Sequence, residues 1–336
     1  MKALVTGGCG YIGRHVVAAL QATGHQVSVL DPAQGDDLPP GVAHRQGSIL
    51  DEAMLRQAMA GTQWVFHLAA LAQLWIPDKR DYERVNLEGT RRVLAAAREA
   101  GVQRLVHTST EAVLAATAVD GTVDGTRDPA LAGQPGPYSR SKCAAELLAL
   151  AAARDGLPVV IASPTAPLGP GDRALTPPTQ MLLDFLNGRH PAYLECQLNL
   201  VDVRDVAAGH LLAAEKGRSG ARYLLAGHDT LLSALLARLR AMTGRPMPRR
   251  RIPYWLAWTT AAVSEAIADR VTHRAPAATL NGLRLVRRPL AYAAGLAANE
   301  LGWRARPLDQ TLAAAIADLK ARGLVTGPLS KPADRR

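Results

Sequence analysis

The first 31 residues constrain the fold of this chain more than any other stretch. They read as a short apolar strand, a glycine-rich turn, a helix and a second strand that ends at Asp31. The turn holds three glycines at a regular spacing, Gly7, Gly10 and Gly13. Glycine at such positions permits the tight turn, lets the backbone approach a pyrophosphate and lets the helix pack closely on the strand. The stretch therefore predicts a dinucleotide-binding turn, with an acid placed to reach the ribose hydroxyls.

Strands and helices alternate after this turn. We predict strands over residues 42–46, 64–68, 104–107 and 158–162, and helices over 51–59, 81–100 and from 138 onward. Such alternation is typical of a parallel sheet that helices cover on both faces. The sequence therefore predicts an α/β fold with a Rossmann-type, doubly wound parallel sheet, whose ligands lie at the carboxyl ends of the strands.

The pattern loosens in the second half of the chain, where helices alternate with short strands and no further glycine turn follows. We predict a Rossmann domain over 1–168 and a smaller C-terminal α/β substrate domain over 169–326. Some segments of the substrate domain are expected to return to the Rossmann sheet. Residues 327–336 are predicted to form a frayed tail.

Composition narrows the class of protein. Of the 336 residues, 48% are hydrophobic and 20% are charged, as in an ordinary globular protein. The longest apolar stretches are too short to span a bilayer, and Met1 leads directly into a strand, so we expect no leader peptide. The three cysteines lack metal-ligand spacing. We therefore expect a cytoplasmic protein with reduced thiols and no metal site.

Positive charge is concentrated in the C-terminal region. The net charge is +10, and residues 245–336 hold 16 Lys and Arg against 6 Asp and Glu, so the rest of the chain is neutral overall. Such an excess attracts an anionic partner, either a phosphorylated substrate or an anionic membrane surface. We expect no nucleic-acid partner, because the basic residues are not interleaved with aromatic residues for stacking. A solvated basic face would account for the charge equally well.

An aromatic, apolar segment lies inside this basic region. Ile252–Trp258 opens a helix that stays largely apolar to Ala268. Such a helix beside cations could form a substrate entrance or lie on a membrane surface, and it would suit a fairly apolar, lipid-like substrate. A packing helix of the substrate domain is the more ordinary interpretation.

A tyrosine and a lysine, Tyr138 and Lys142, lie four residues apart on one face of a predicted helix. A phenol has a pKa of about 10 and is a poor acid or base at neutral pH unless a nearby ammonium stabilises the phenolate. Tyr138 would then exchange a proton with a substrate hydroxyl or carbonyl while hydride moves to or from a nicotinamide. Thr110, at a strand end, would bond the same oxygen. The pattern is weak by itself, but its order after the glycine turn and Thr108–Thr110 supports this role.

Seven short segments follow one another in a specific order. They are Thr6–Gly13, His67–Ala70, Asn86–Thr90, Thr108–Thr110, Tyr138–Lys142, Ser163–Pro164 and Gly169–Asp172. As an ordered set, spread over roughly the first half of the chain, they resemble the extended short-chain dehydrogenase/reductases of the NAD-dependent epimerase/dehydratase type. The resemblance implies the Rossmann fold, and Thr110, Tyr138 and Lys142 as the catalytic residues.

The resemblance also implies which residues surround the cofactor. The residues expected to bind it are Gly7, Gly10, Tyr11, Ile12, Gly13, Asp31, Ser48, Ile49, Leu68, Ala69, Ala70, Asn86, Thr108, Lys142 and Pro164. Asn86 would act as a structural or relay residue, and the backbone near Pro164 would approach the nicotinamide. The residues expected to contact the substrate are Glu111, Ala166 and Asn199.

Three later segments, 164–172, 184–188 and 199–210, carry a finer resemblance. They are similar to the hopanoid-associated sugar epimerase group, and they also resemble dihydroflavonol reductases and 3β-hydroxysteroid dehydrogenases. Resemblance at this level indicates fold and cofactor far better than substrate.

Three positions depart from the family pattern. Ser48 stands where many relatives place an adenine-bonding Asp, so the adenine contact is expected to be weaker or differently made. Thr110 replaces the commoner Ser and still supplies a hydroxyl. Glu111 stands where sugar-nucleotide dehydratases place the first of two acids, but the second position is Ala112, which argues against sugar dehydration. Glu111 could instead contact substrate or form a salt bridge.

Asp31 bears on the choice of cofactor. A carboxylate there accepts hydrogen bonds from both ribose hydroxyls of NAD and would repel the 2′-phosphate of NADP, and Pro32 supplies no compensating cation. We therefore predict NAD in preference to NADP.

Two enzymatic hypotheses share these residues. The first is an NAD-dependent oxidoreductase that acts on a small-molecule secondary alcohol or ketone, and the second is a nucleotide-sugar epimerase that retains NAD, with Arg249–Arg251 holding a pyrophosphate. A non-enzymatic cofactor-sensing scaffold would commonly lack the Tyr or Lys that this chain keeps.

As in many relatives, the helices near 81 and 138 could pair with those of a second subunit, so we expect a homodimer.

Overall fold

Seven parallel strands form the central sheet of the computed structural model, which describes residues 1–276 and 278–326. Fourteen strands, in this and three smaller sheets, lie in the described residues: β1 (Lys2–Thr6), β2 (Gln26–Asp31), β3 (Ala43–Gln46), β4 (Trp64–His67), β5 (Arg104–Thr108), β6 (Thr122–Val123), β7 (Val159–Pro164), β8 (Ala166–Leu168), β9 (Ala192–Tyr193), β10 (Gln197–Asp202), β11 (Arg222–Leu225), β12 (His228–Leu231), β13 (Arg250–Arg251) and β14 (Ala291–Tyr292). The central sheet has the order β11-β7-β5-β4-β1-β2-β3. The predicted Rossmann-type fold is thus confirmed.

Helices cover both faces of this sheet. The helices of the described chain are α1 (Tyr11–Ala22), α2 (Glu52–Met59), α3 (Arg80–Tyr82), α4 (Gly89–Glu99), α5 (Pro137–Arg154), α6 (Pro177–Leu186), α7 (Val203–Lys216), α8 (Leu232–Thr243), α9 (Tyr254–Ile267), α10 (Leu280–Leu285) and α11 (Leu308–Ala321), and α1, α2, α4, α5 and α7 pack on the sheet. One core lies between the sheet and α1 and α7, and includes Val17 and Val206. The other lies against α2, α4 and α5, and includes Leu55 and Val93. Because both faces are buried, the central strands are apolar without alternation.

The direction of strand addition reverses at β1, which lies between β2 and β4. Such a reversal opens a crevice at the carboxyl ends of the strands. Thr6, the last residue of β1, is paired with Leu30 on one side and His67 on the other. The glycine turn, Asp31 and the loop after β4 therefore lie at one edge of the sheet.

The helix predicted over 81–100 contains a π-helical segment. Glu83–Glu88 joins α3 to α4 with π geometry, and the buried Asn86 lies in this segment. Periodicity predicts a regular helix here, because one π turn barely disturbs the apolar pattern. π segments are frequent at functional sites.

The remaining strands and helices build a smaller unit. The sheet β12-β10-β8 and helices α6, α8 and α11 enclose a separate, leucine-rich core. The segment 169–326 also contributes to the central sheet, because β11 is its edge strand and α7 and Trp303 lie in one of its cores. The predicted tail, 327–336, lies outside the described residues.

Within 1–276 and 278–326, every helix is too short or too polar to cross a bilayer.

Candidate active site

The turn after β1 packs tightly against the loop after β4. Gly7 has a φ of +75°, and a Cβ there would lie 2.6 Å from the backbone nitrogen of Ala69. A Cβ at Gly13 would lie 2.2 Å from the carbonyl oxygen of Gly7. Both positions therefore require glycine, and the predicted spacing has a steric cause.

Helix α1 begins at Tyr11, with Gly10 as its N-cap. Because Gly10 has no side chain to cap the helix, the first N–H groups, those of Tyr11, Ile12 and Gly13, are open to a ligand. N–H groups at a helix start carry partial positive charge and bind anions. This end of α1 fits a pyrophosphate.

Asp31 is buried beside this turn. Its carboxylate accepts hydrogen bonds from the N–H groups of Cys9 at 3.0 Å and Ala33 at 2.9 Å, which leaves acceptor capacity on both oxygens. The N–H of Gly47 donates to the Asp31 carbonyl at 3.0 Å and brings the Ser48–Ile49 loop alongside. The residues present fit a ribose.

Ser48 and the residues after β4 complete this part of the crevice. The Ser48 hydroxyl accepts a hydrogen bond from the N–H of Leu50 at 3.1 Å, so it also stabilises its own turn. The N–H of Leu68 donates to the Thr6 carbonyl at 3.0 Å, which continues the β1–β4 pairing to Leu68, directly before Ala69 and Ala70. These predicted cofactor-binding residues thus lie along one edge.

Asn86 joins three elements. Its Oδ1 accepts from the N–H of Leu71 at 2.7 Å, and its Nδ2 donates to the Leu71 carbonyl at 3.1 Å and to the Ser141 hydroxyl at 3.0 Å. The Ser141 hydroxyl in turn donates to the Tyr138 carbonyl at 2.8 Å. Asn86 therefore fixes the loop after β4 relative to the start of α5, which fits the structural role implied by the resemblance.

Thr110 and Glu111 lie immediately after β5. The Thr110 hydroxyl donates to Glu111 Oε2 at 2.8 Å and accepts from the Ala112 N–H at 3.3 Å. Burial raises the pKa of the Glu111 carboxyl to about 7. This carboxyl is therefore protonated in part at neutral pH.

Tyr138 lies at the first turn of α5 in an apolar cluster. Its ring centroid is 6.2 Å from that of Tyr82, and the cluster is completed by Ala112, Leu71, Leu74, Ile76 and Leu285. Burial and the Glu111 carboxyl raise the pKa of the Tyr138 phenol, and the neighbouring Thr110 hydroxyl lowers it. The sequence suggests instead that Lys142 makes the phenol more acidic. In the structure burial dominates, because it disfavours the charged phenolate.

Lys142 lies one helical turn after Tyr138 and is buried. Its ammonium donates to the Thr108 carbonyl at 2.7 Å, so it is held against β5. Burial lowers the pKa of Lys142 to about 8, and the Glu146 carboxylate opposes this shift.

A buried ion pair that the sequence analysis missed lies one turn of α5 after Lys142. The Glu146 carboxylate accepts from Arg222 Nε at 2.5 Å and from the Ser109 hydroxyl. Arg222 comes from β11 and also donates to the Gly125 carbonyl at 2.8 Å. Such a pair is tolerated only when the remaining polar atoms are satisfied. The available signal was an acid four residues after Lys142 in the apolar part of the helix.

Two buried histidines, also missed, hold strand ends that carry predicted site residues. His67 Nδ1 lies 2.8 Å from the Thr6 hydroxyl, and its Nε2 lies 3.0 Å from that of Thr90. His210 Nε2 lies 2.8 Å from the Thr108 hydroxyl, which therefore faces α7. Burial lowers the pKa of His67 to about 3 and that of His210 to about 4, so both rings are neutral.

The residues predicted to contact the substrate lie in different settings. The structure groups Glu111 with Thr110 and Tyr138, whereas Ala166 lies in β8, paired with Leu200. The Asn199 amide donates to Asp229 at 2.8 Å and accepts from the Gly227 N–H at 2.8 Å. Its amide is thus already engaged in holding β10. Pro164 ends β7, where it pairs with Leu225.

Comparison with known proteins shows similarity along nearly the whole chain. A model of the NAD dependent epimerase/dehydratase family matches residues 3–226. A Synechocystis sp. protein provisionally named dihydroflavonol 4-reductase is 37% identical over 327 residues, which cover 96% of this chain and 95% of that protein. Sterol demethylase protein B of Methylococcus capsulatus is 32% identical over 333 residues, 97% of this chain and 100% of that protein.

Solved structures also match this fold over nearly the full length of both chains. The crystal structure of a nucleoside-diphosphate-sugar epimerase from Pseudomonas aeruginosa superposes with a TM-score of 0.79 and 26% identity, over 97% of this chain and 99% of that chain. The similarity therefore includes the smaller unit as well as the central sheet.

Proposed function

This chain belongs to the NAD-dependent epimerase/dehydratase family of extended short-chain dehydrogenase/reductases, and we propose that it interconverts a secondary alcohol and a ketone. The observation that carries the proposal is the grouping of Tyr138, Thr110 and Lys142 at the end of β5 and the start of α5. NAD, when bound, would accept or supply the hydride. The N-terminus of α1 would hold its pyrophosphate, and Asp31 its ribose.

Tyr138 is the proposed general acid and base. Because its pKa is raised, the phenol is protonated at neutral pH and can donate its proton to a carbonyl oxygen during reduction. The Thr110 hydroxyl would bond the same oxygen. The Lys142 ammonium, held at the Thr108 carbonyl, would stabilise the phenolate that remains after proton transfer.

The test is to follow NADH absorbance with ketones of increasing apolar size, from acetone to 5α-cholestan-3-one, and the reverse reaction with the matching alcohols. We expect NADH oxidation with at least one ketone and its loss in Tyr138→Phe. Unchanged turnover in Tyr138→Phe would contradict the assigned role, and no turnover with any member of the series would contradict the proposed substrate class.

Asp31 supports NAD as the preferred dinucleotide, since its carboxylate can accept from two ribose hydroxyls and would repel a phosphate. Loss of hydrogen bonds to a charged group costs about 1.5–3 kcal/mol each. We expect Asp31→Ser to weaken NADH binding by at least ~10-fold. The difference in affinity between NADH and NADPH should become smaller. Asp36→Ser, in the exposed loop after β2, is the matched control. Tighter binding of NADPH than of NADH by the unaltered protein would refute this preference.

The walls around Tyr138 support an apolar substrate. The side chains packed against it are Leu71, Leu74, Ile76, Tyr82, Ala112 and Leu285. The names of the two full-length relatives refer to a dihydroflavonol and a sterol, both ring systems with large apolar faces. We therefore propose a ring-bearing, largely apolar small molecule as the substrate.

A nucleotide-sugar epimerase is the second candidate, favoured by the similarity to the Pseudomonas aeruginosa enzyme. Of the arginines predicted to hold a pyrophosphate, Arg251 is paired with Glu195 at 2.9 Å and bonded to the Tyr193 hydroxyl at 3.1 Å. The two candidates separate in one measurement. NAD that stays bound through purification, with no net NADH formed, favours the epimerase, whereas stoichiometric NADH release from an alcohol excludes it.

We propose a homodimer formed through α4 and α5. The outer faces of these helices share a shallow groove of about 140 Å³ that is lined in part by Leu94, Leu148 and Ala152. Leu148→Arg should convert a dimer to a monomer in light scattering after gel filtration, and the exposed Leu131→Arg should not. A monomeric native protein would contradict this proposal.

We further propose that the protein works in the cytoplasm, with peripheral contact to an anionic membrane through its basic C-terminal region. The free state of Cys9, Cys143 and Cys196 supports a reducing compartment. The charge of residues 245–336 supports the contact with anionic lipid.

A further inference from the structure

Helix α9 presents its large apolar side chains outward. Its buried face consists of the small residues Ala257 and Ala261. The opposite side carries a surface that we call the α9 outer face, formed by Trp255, Leu256, Trp258, Val263, Ile267 and, one turn beyond the helix, Val271. Trp255 is 66% exposed and Val263 is 60% exposed. The distribution is therefore the reverse of that of an ordinary surface helix.

This exposure is concentrated in one place. Ten large apolar side chains are exposed among the described residues, and six of them belong to the α9 outer face. Isolated exposed apolar residues are normal, but a contiguous patch marks an interaction site. An open groove of about 640 Å³, lined in part by Val263, Ile267 and Pro276, runs along the same face. The partner must therefore offer an apolar surface.

The segment that carries the α9 outer face is strongly basic. Residues 245–288 contain nine arginines and two acids, Glu265 and Asp269. Both acids are engaged: Glu265 accepts from the Leu280 N–H at 2.8 Å, and Asp269 accepts from the Trp75 indole N–H at 2.7 Å. The exposed arginines of the segment are Arg249, Arg250, Arg251, Arg270, Arg274, Arg284, Arg287 and Arg288. An apolar surface within such a basic segment is complementary to a bilayer with anionic headgroups, in which tryptophan prefers the interface.

We propose that the α9 outer face docks on an anionic phospholipid bilayer. A second copy of this chain is the other obvious occupant of an apolar face, but two such segments would bring two strongly positive surfaces together. Like charges at an interface oppose association. The charge pattern therefore favours lipid over self-association.

The docking surface is connected to the proposed catalytic centre. The Tyr254 hydroxyl, at the start of α9, lies 3.5 Å from the Leu283 carbonyl of α10, and Leu285 of α10 packs in the Tyr138 cluster. Trp75, bonded to Asp269, lies in the same loop as Leu74 of that cluster. Docking would thus place the apolar walls of the site close to the bilayer. This route for substrate rests on the apolar substrate of the proposed function, whereas docking itself does not.

The experiment is co-sedimentation of the full chain with phosphatidylcholine vesicles, with and without 30% phosphatidylglycerol. We expect binding to the anionic vesicles that is at least ~10-fold tighter than to the neutral ones, and that weakens as salt is raised. The double variant Trp255→Ser/Trp258→Ser should lose at least ~10-fold in affinity for the anionic vesicles. The matched control is Leu131→Ser/Leu231→Ser, which removes side chains that are 47% and 48% exposed elsewhere.

Melting temperature and NADH binding, measured on each variant, separate docking from folding and from the proposed function. Both should be unchanged in the tryptophan variant, and failure of NADH binding in the unaltered protein would affect the proposed function alone. Absence of binding to anionic vesicles, or equal losses in the tryptophan and control variants, would overturn the proposal. So would a dimer that the tryptophan variant converts to monomers, since a second copy would then cover this face.

Discussion

Helices α5 and α9 depart from the usual distribution of side chains in opposite directions. α5 buries a lysine and a glutamate, Lys142 and Glu146, whereas α9 exposes two tryptophans. Each buried charge of α5 has a partner within the chain, the Thr108 carbonyl for Lys142 and Arg222 for Glu146. We propose that the exposed apolar side chains of α9 have theirs outside it, in a lipid bilayer. A buried charge and an exposed large apolar side chain are both unusual, and each points to a functional region. A partner within the chain points to the proposed catalytic centre, and a partner outside it points to a docking surface.

Tyr138→Phe should have the largest effect, on catalysis, because it removes the proposed proton donor at the start of α5. Loss of a general acid typically lowers kcat by about 10²–10⁴-fold. NADH binding and the melting temperature should change little. Single-turnover hydride transfer measures the effect, with Tyr193→Phe in the smaller unit as the control. A comparable loss in Tyr193→Phe would show that kcat does not depend specifically on the α5 phenol.

Glu146→Leu should cause the next largest effect, on stability. Removing one partner of a buried ion pair costs about 3–5 kcal/mol, since Arg222 would remain buried and charged. Urea unfolding measures the loss. Arg238→Leu breaks the exposed pair between Arg238 and Asp309, whose atoms are 2.8 Å apart, and should cost no more than about 1 kcal/mol. An equal loss in the free energy of unfolding for the two variants would mean that the buried pair on α5 contributes no more to stability than the exposed pair.

Lys142 should give the stability of the protein a pH dependence. Burial lowers its pKa from 10.5 to about 8 in the folded state. Between these values the unfolded chain binds more protons, so the free energy of unfolding gains a favourable contribution as pH rises through this window. Below about pH 8 both states are protonated and the contribution is constant. Urea titrations at several pH values measure this dependence. The rise in the free energy of unfolding should be absent in Lys142→Met and present in the control Lys79→Met. If the free energy of unfolding of Lys142→Met followed the same pH dependence as that of the unaltered protein, the prediction would be wrong.

Trp255→Ser should have the smallest effect on stability, because its side chain is 66% exposed. Surface substitutions of this kind usually change the free energy of unfolding by less than about 0.5 kcal/mol. The same substitution is expected to matter for binding to anionic vesicles. A loss of several kcal/mol in urea unfolding would show that the tryptophan packs within the fold, and the contrast between α5 and α9 would then fail.

Most of the nucleotide-binding edge was predictable from the sequence, because its determinants are local. Gly13 is constrained by the carbonyl oxygen of Gly7 in the same turn, Gly7 has a positive φ, and Asp31 ends the next strand. The interior of the site was less predictable. Arg222 lies 76 residues from Glu146, and Asn86 lies 55 residues from Ser141, so no spacing rule relates them. The raised pKa of Tyr138 also depends on burial, which the Tyr-x-x-x-Lys pattern does not report.

The sequence by itself determined the alternation of strands and helices, the glycine turn and the order of the motifs that identify the family. These features follow from backbone sterics and short-range periodicity, which act over a few residues. Only the tertiary structure decided that Lys142 is held at the Thr108 carbonyl, that Glu146 has a buried cation, and that α9 presents its tryptophans outward. Burial and pairing depend on which distant segments meet, and a helix with apolar residues on several sides does not itself specify which side the fold will cover.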